Sequence, residues 1–286
     1  VVIVVKPGFE PIRVDRTVPS ANARFQSPWV PYPAGIDALK AMAGLIGREN
    51  EGRPQGLALI GDPNFGKSHL LDHFVDSYPD IQEDFPRIQV LYVETPAKAD
   101  GSALLRELLR SMGATFNTRS PPDELMNKFC VRAQSLRILM IVIDEFTNGN
   151  WGRRDASLSL VHTLRSISNR LGRPIVIAGT TELNDLLRND SQLNERFRRM
   201  RLPEWSDTQA VADLLTSFEA TFDMPEPSNL GTAGIANKVC ALGQRKLGRI
   251  TVMLREAHRL AQKEGARRVE LSHIETAARQ QVGLPG

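Results

Sequence analysis

Apolar positions along this chain keep two rhythms. Between residues 57 and 178, short, mainly apolar runs (Leu57–Ile60, Ile88–Val93, Ile138–Ile143, Ile175–Ala178) alternate with longer segments whose apolar residues fall three and four apart. The runs predict strands, and the spaced segments predict helices. Lys67–Tyr78 is one such helix, with Leu70, Leu71, Phe74 and Val75 on one face. Ala103–Met112 is stopped by Gly113, Asp123–Gln134 is opened by Pro121 and Pro122, and Leu158–Leu171 is stopped by Gly172 ahead of Pro174. Strands apolar on both faces belong to a parallel sheet covered by helices on both sides, so the rhythm predicts an α/β sandwich. Past Leu202 and Pro203 the strand rhythm ceases. From Asp207 onward only helical spacing remains, broken at Pro225, Pro227, Gly243 and Gly265, which predicts a small all-helical second domain. Ahead of a helical segment at 36–47, residues 1–33 carry six prolines. Proline at that density excludes a long helix or a central strand. The expected organisation is a proline-rich arm at 1–33, a nucleotide-binding core at 34–205 and a helical lid at 206–286.

Two of the predicted strands lead into chemistry. Leu57–Ile60 is followed by Gly61, Asp62, Pro63, Asn64, Phe65, Gly66, Lys67 and Ser68, the phosphate-loop pattern G-x-x-x-x-G-K-S. Glycines let backbone N–H groups turn inward around a polyphosphate, and the helix starting at Lys67 points its positive end at it. Lys67 is expected to reach the β- and γ-phosphates and Ser68 to place its hydroxyl on Mg²⁺, while His69 offers a backbone N–H. Ile138–Ile143 runs into Asp144 and Glu145. Asp144 is expected to direct the same Mg²⁺, and Glu145 to orient or deprotonate the attacking water. Strand, loop, helix and carboxylate strand in this order predict a chain that binds a nucleoside triphosphate and is equipped to hydrolyse it. Thr180 and Thr181, just after the fourth strand, are placed to sense the γ-phosphate. Arg196 has the character of an arginine finger if copies pack head to tail, and Arg249, at the start of a predicted lid helix, of a residue closing on the nucleotide in its own chain.

Composition narrows the picture further. The chain has 286 residues, 41% hydrophobic and 24% charged, the balance of a globular protein. Cys130 and Cys240 form no metal or redox spacing, which fits a reducing compartment. His69 and His73 have the i,i+4 spacing of a helical zinc site, but no Glu follows His69 and the pair lies in the phosphate loop's own helix. The apolar start Val1–Val5 is too short for a signal or a membrane span, so no membrane partner is expected; the missing initiator Met points to processing or an incomplete start. Net charge is +3, with eight Lys/Arg against two acids between Arg245 and Arg268 and a second cluster at Arg196, Arg198, Arg199 and Arg201. Such clusters read equally as solvated faces or as nucleic-acid contacts.

The motifs together resemble those of the TniB family, the AAA+ ATPases of transposons, and of the related TnsC proteins. The likeness spans Trp29 to Gln280. It is carried by Trp29 to Pro33, the phosphate loop, Val90 to Pro96, Leu139 to Asn148, Leu164 to Asn169, Ile175 to Thr180, Gln192 to Phe197 and Leu202 to Trp205. The resemblance implies an AAA+ core with a helical lid, ATP with Mg²⁺, and head-to-tail assembly into a ring or helical filament around double-stranded DNA. It also implies a bacterial, cytoplasmic, DNA-associated role in choosing the transposition target, with a DDE transposase and a TniQ-type adaptor as partners and hydrolysis driving disassembly. By the same likeness Tyr32 to Gly35 border the adenine, Lys98 touches the DNA backbone, and Thr118 and Arg119 are further DNA candidates. Several TniB sequences lack an arginine where this chain has Arg249, so its lid resembles TnsC more; the segment from Thr147 to Arg154 is peculiar to this chain. A selector that tolerates many targets holds phosphates and does not read bases, and its affinity comes from repeated weak contacts in an assembly. Three other readings share parts of this chemistry: a helicase loader or clamp-loader subunit, a P-loop kinase for a small molecule, and a nucleotide-gated scaffold with little turnover.

Overall fold

The computed structural model describes residues 2–3, 12–13, 29–46, 55–78, 88–97, 100–147, 154–206 and 208–282. At the N-terminus β1 (Val2–Ile3) pairs antiparallel with β2 (Ile12–Arg13). Helix α1 (Pro33–Ala43) begins on a proline, tolerated there because a first-turn N–H has no intrahelical acceptor. The core then runs β3 (Gly56–Ile60), α2 (Lys67–Asp76), β4 (Val90–Glu94), α3 (Gly101–Ser111), α4 (Pro122–Ser135), β5 (Met140–Asp144), α5 (Arg154–Leu171), β6 (Ile175–Gly179), α6 (Glu182–Asn189), α7 (Ser191–Arg196) and β7 (Phe197–Arg201). Local signals set these boundaries. The Asp100 carboxylate accepts the N–H of Ala103 at 2.8 Å and caps α3, while Pro122 opens α4.

The core strands form one parallel sheet in the order β4-β5-β6-β3-β7. Strands β3, β5 and β6 are buried at every position, as their unbroken apolar runs require. Four strands are expected from the apolar rhythm; the sheet has a fifth. Phe197–Arg201, which reads in sequence as a basic cluster, is an edge strand beside β3. Its register sets Phe197 against Gly56, where a Cβ would lie 2.5 Å from the Phe197 ring; only glycine fits under that side chain. Leu104, Leu108, Phe129, Ile141, Ile143, Phe146 and Leu164 belong to the core built around this sheet. Removing each large apolar side chain from water contributes about 1.5–3 kcal/mol.

The C-terminal part is all helical: α8 (Thr208–Glu219), α9 (Ala233–Leu242), α10 (Leu247–Lys263) and α11 (Leu271–Val282). The chain divides into two compact units, and the helical one takes in Ser27–Ile36, Pro63–Gly66 and Leu202–Gly286. Its separate core joins Leu215, Ile250, Leu254 and Ile274 to Val30, Tyr32 and Trp205. Tyr32 meets Trp205 edge-on at 5.2 Å and Trp29 at 6.2 Å, so the Trp29–Pro33 lead serves the helical unit's core. Among the described residues no helix is long and apolar enough to cross a membrane.

Candidate functional site

In parallel α/β sheets, ligands sit beyond the carboxyl ends of the strands. Here those ends carry Gly61 after β3, Glu94 at the end of β4, Asp144 and Glu145 at the end of β5, and Thr180 after β6. The turn after β3 starts from Gly61, whose N–H donates to the carbonyl of Gly179 at 3.1 Å. Asn64 (φ 69°) and Gly66 (φ 83°) take the left-handed backbone that a tight loop around an anion needs. In the helical unit, the Gly248 N–H donates to the Asn64 carbonyl at 2.7 Å, and a Cβ on Gly66 would stand 2.9 Å from Leu247. Arg249 follows in that first turn of α10, half-buried. Asp62 and Asn64 are exposed and Phe65 is buried; Ser68 and His69 sit half-buried in the first turn of α2.

Lys67 opens α2 and is only 5% exposed. Its ammonium donates to the carbonyls of Gly61 at 2.7 Å and Asp62 at 3.1 Å. Burial lowers its pKa, and the charges of Glu145, Asp144 and Asp62 partly offset this. Asp144 is fully buried. Its Oδ1 accepts the N–H of Glu145 at 2.7 Å, and its Oδ2 accepts the hydroxyl of Tyr92 at 2.9 Å. Glu145 has φ 51°, a left-handed conformation that costs a non-glycine residue on the order of 1 kcal/mol or more. Burial raises its pKa, Asp144 and Glu94 push the same way, and Lys67 pulls against them. A lysine and two carboxylates that sense one another, with Ser68 following Lys67 in the first turn of α2, offer hard oxygen donors suited to Mg²⁺ and a cation suited to phosphate.

The end of β6 is tied to the loop after β5. The Phe146 N–H donates to the Ala178 carbonyl at 2.8 Å. The buried Thr147 hydroxyl accepts the Thr180 N–H at 2.9 Å and lies 3.0 Å from the Thr180 hydroxyl, which in turn donates to Glu182. Thr181 is exposed at the start of α6. Arg196 closes α7 and donates to Asn169 Oδ1 at 2.6 Å and Ser168 Oγ at 3.2 Å, both on α5. Thr118 and Arg119 are exposed in the turn between α3 and α4, where the Arg119 N–H donates to Asn117. Lys98 lies outside the described residues. Tyr32 is buried, which raises its phenol pKa. Two side chains at the site, Tyr92 and Thr147, are absent from the sequence-based set. For Tyr92 a period-2 signal existed, since it shares a strand face with Glu94.

Residues 22–207, nearly two-thirds of the chain, match the family model described as bacterial TniB protein. No curated protein matches the chain. Among solved structures it is similar to Cdc6p from Pyrobaculum aerophilum (17% identity, TM-score 0.62, covering 90% of this chain and 72% of that one). It is also similar to the Aeropyrum pernix ORC1 protein solved in complex with DNA (16% identity, TM-score 0.64, covering 94% and 67%). A third is domain III of the Thermotoga maritima replication initiation protein DnaA (17% identity, TM-score 0.56, covering 90% and 95%). At these identities the likeness establishes the fold: a Rossmann-like AAA+ core with a C-terminal all-helical part.

Proposed function

Because the chain belongs to the TniB family, we propose that it is an ATP-dependent regulator of transposition that oligomerises on double-stranded target DNA. In this reading it recruits or activates a DDE transposase, with a TniQ-type adaptor as a further partner, and hydrolysis disassembles the ring or filament. Family membership implies binding and hydrolysis of ATP with Mg²⁺; the setting of the proposed role is the bacterial cytoplasm. The observation that carries the reading is the convergence of Lys67, after β3, with Asp144 and Glu145, at the end of β5, beyond the carboxyl ends of parallel strands that flank β6.

The assigned roles follow from the chemistry of each group. Lys67 exchanges its carbonyl partners Gly61 and Asp62 for the β- and γ-phosphate oxygens, backed by the N–H groups of Gly66, Lys67, Ser68 and His69. Asp62, Asn64 and Phe65 shape the loop, and Tyr32 borders the base. Ser68 and Asp144 hold Mg²⁺, which when bound offsets the charge that develops on the transferred phosphoryl group. Glu145 accepts a hydrogen bond from the attacking water and takes its proton; its raised pKa makes it a stronger base than an ordinary carboxylate. The Thr180 hydroxyl turns from Glu182 toward the γ-phosphate. Arg196 of a neighbouring copy reaches that phosphate as a finger, a contact type worth ~10³–10⁵ in rate, and Arg249 closes on it from the same chain. Lys98, Thr118 and Arg119 hold DNA phosphates, so binding falls steeply with salt. The proposed division is an arm at 1–33, a core at 34–205 and a lid at 206–286.

Lys67→Ala tests this. Electron microscopy of the parent chain with an ATP analogue and duplex DNA is expected to show ordered assemblies that need nucleotide, and the variant is expected to form none. A Lys67→Ala protein that coats duplex as the parent does overturns the proposal.

A further inference from the structure

A phenol sits at the centre of β4, and the strand register explains what it is for. Tyr92 stands opposite Val142 and Glu94 stands opposite Asp144. Tyr92 is therefore the diagonal neighbour of Asp144 on one sheet face, within reach for a long side chain. Its hydroxyl spans that diagonal and donates to Asp144 Oδ2 at 2.9 Å. From the other side the Glu145 N–H donates to Oδ1 at 2.7 Å. Each oxygen of this fully buried carboxylate thus accepts one protein hydrogen bond. An ionised carboxylate offers about four acceptor sites. Two are filled from fixed backbone and strand positions, which sets the plane of the group and leaves the others for outside ligands.

We propose that Tyr92 is a positioning residue for Asp144: its hydroxyl fixes the carboxylate in the orientation in which it would hold Mg²⁺. The proposal rests on the nucleotide-site reading above and adds to it the group that sets the Asp144 geometry. Without the hydroxyl, Oδ2 loses its partner and the carboxylate is free to turn. Glu145 is bonded to Asp144 through both the chain and the Oδ1 contact, so misplacement reaches metal binding first and the water-orienting group second. A partner that orients a metal-binding carboxylate typically governs ~10–100-fold in metal affinity.

The test is Tyr92→Phe, which keeps the ring in the sheet and removes only the hydroxyl. Affinity of the full chain for a fluorescent ATP analogue is measured with Mg²⁺ and with EDTA. Binding of Mn²⁺ to the nucleotide complex is followed by electron paramagnetic resonance. The expected result is a loss of ~10-fold or more in the metal-dependent gain in affinity, with a matching drop in Mn²⁺ affinity. Binding in EDTA stays at the parent's value, while the thermal midpoint without metal falls by the cost of one buried hydrogen bond. On an Asp144→Asn background the same change adds nothing further, because the group it orients is already altered. Tyr92→Phe that keeps the parent's metal gain overturns the proposal. So does a variant that loses affinity equally with and without metal, or one whose effect adds in full to that of Asp144→Asn. A parent chain with no metal gain overturns the nucleotide-site reading and the role of Tyr92 together.

Discussion

β5 and β7 are five-residue strands of one parallel sheet, and their sequences have little in common. β5 lies between β4 and β6 and is buried at every position. β7 hydrogen-bonds only to β3 among the described residues, and of its side chains only Phe197 is fully buried. A strand covered on both faces and both edges is written in apolar residues. A strand with an open edge and wet side chains takes Arg198, Arg199 and Arg201, which also discourage pairing with a stray chain. The place a strand holds in the sheet therefore decides its composition more than the fact of being a strand. The same division holds for chemistry. The inner strand delivers Asp144 and Glu145 into a setting where burial raises the Glu145 pKa, and the outer strand presents cations to water.

The widest gap between the two strands is expected at their chemistry. Glu145→Gln at the end of β5 removes a base and should slow phosphate release by ~10²–10⁴-fold while nucleotide binding persists, read by phosphate release and by binding of an ATP analogue. The pH profile sharpens this. Burial, Asp144 and Glu94 raise the Glu145 pKa, so release should fall as pH drops through a value above the usual carboxylate range, where Glu145 takes up its proton. The Gln variant should lack that acid limb, and a parent limb at the ordinary carboxylate range would count against Glu145 as the base. Linkage gives a second sign. A carboxylate whose folded pKa lies above its unfolded one makes stability fall as pH rises between the two values. Glu145→Gln should then denature at higher urea than the parent at neutral pH.

Packing gives the next effect. Ile141→Ala in β5 is expected to lower stability by ~2–5 kcal/mol in urea denaturation, because the site is closed on all sides. Thr147→Val should cost ~1–3 kcal/mol by leaving the Thr180 N–H without its acceptor, and should also slow phosphate release if Thr180 senses the γ-phosphate. Arg198→Ala in β7 should fall within ~0.5 kcal/mol of the parent, since its side chain is exposed. An Arg198 variant as damaged as Ile141→Ala would break the comparison.

Much of the core was legible because its signals are local. The phosphate loop is one contiguous stretch between an apolar run and an amphipathic helix, and Asp144 and Glu145 directly end another apolar run. The β7 strand was not legible, because three arginines in five residues after Glu195 and Arg196 carry no apolar rhythm; its pairing partner β3 lies far back in the chain. Tyr92 reaches Asp144 across 52 residues and Thr147 reaches Thr180 across 33, so neither bond leaves a spacing to read. Trp29 to Pro33 stood out as a motif, but its packing on Trp205 in the helical unit depends on chain segments far apart.

What this chain's order of residues determined alone is the alternation of strands and helices, the phosphate loop, the carboxylate pair and the switch to helices past Leu202. Each depends on neighbours within a turn or a strand, where backbone geometry and side-chain period act directly. What only the folded molecule decided is the fifth strand, the left-handed turn at Glu145, and the partners held by Asp144, Thr180 and Arg196. Those depend on which distant segments the sheet brings side by side, and hydrogen bonds of a few ångströms exist only once that register is set.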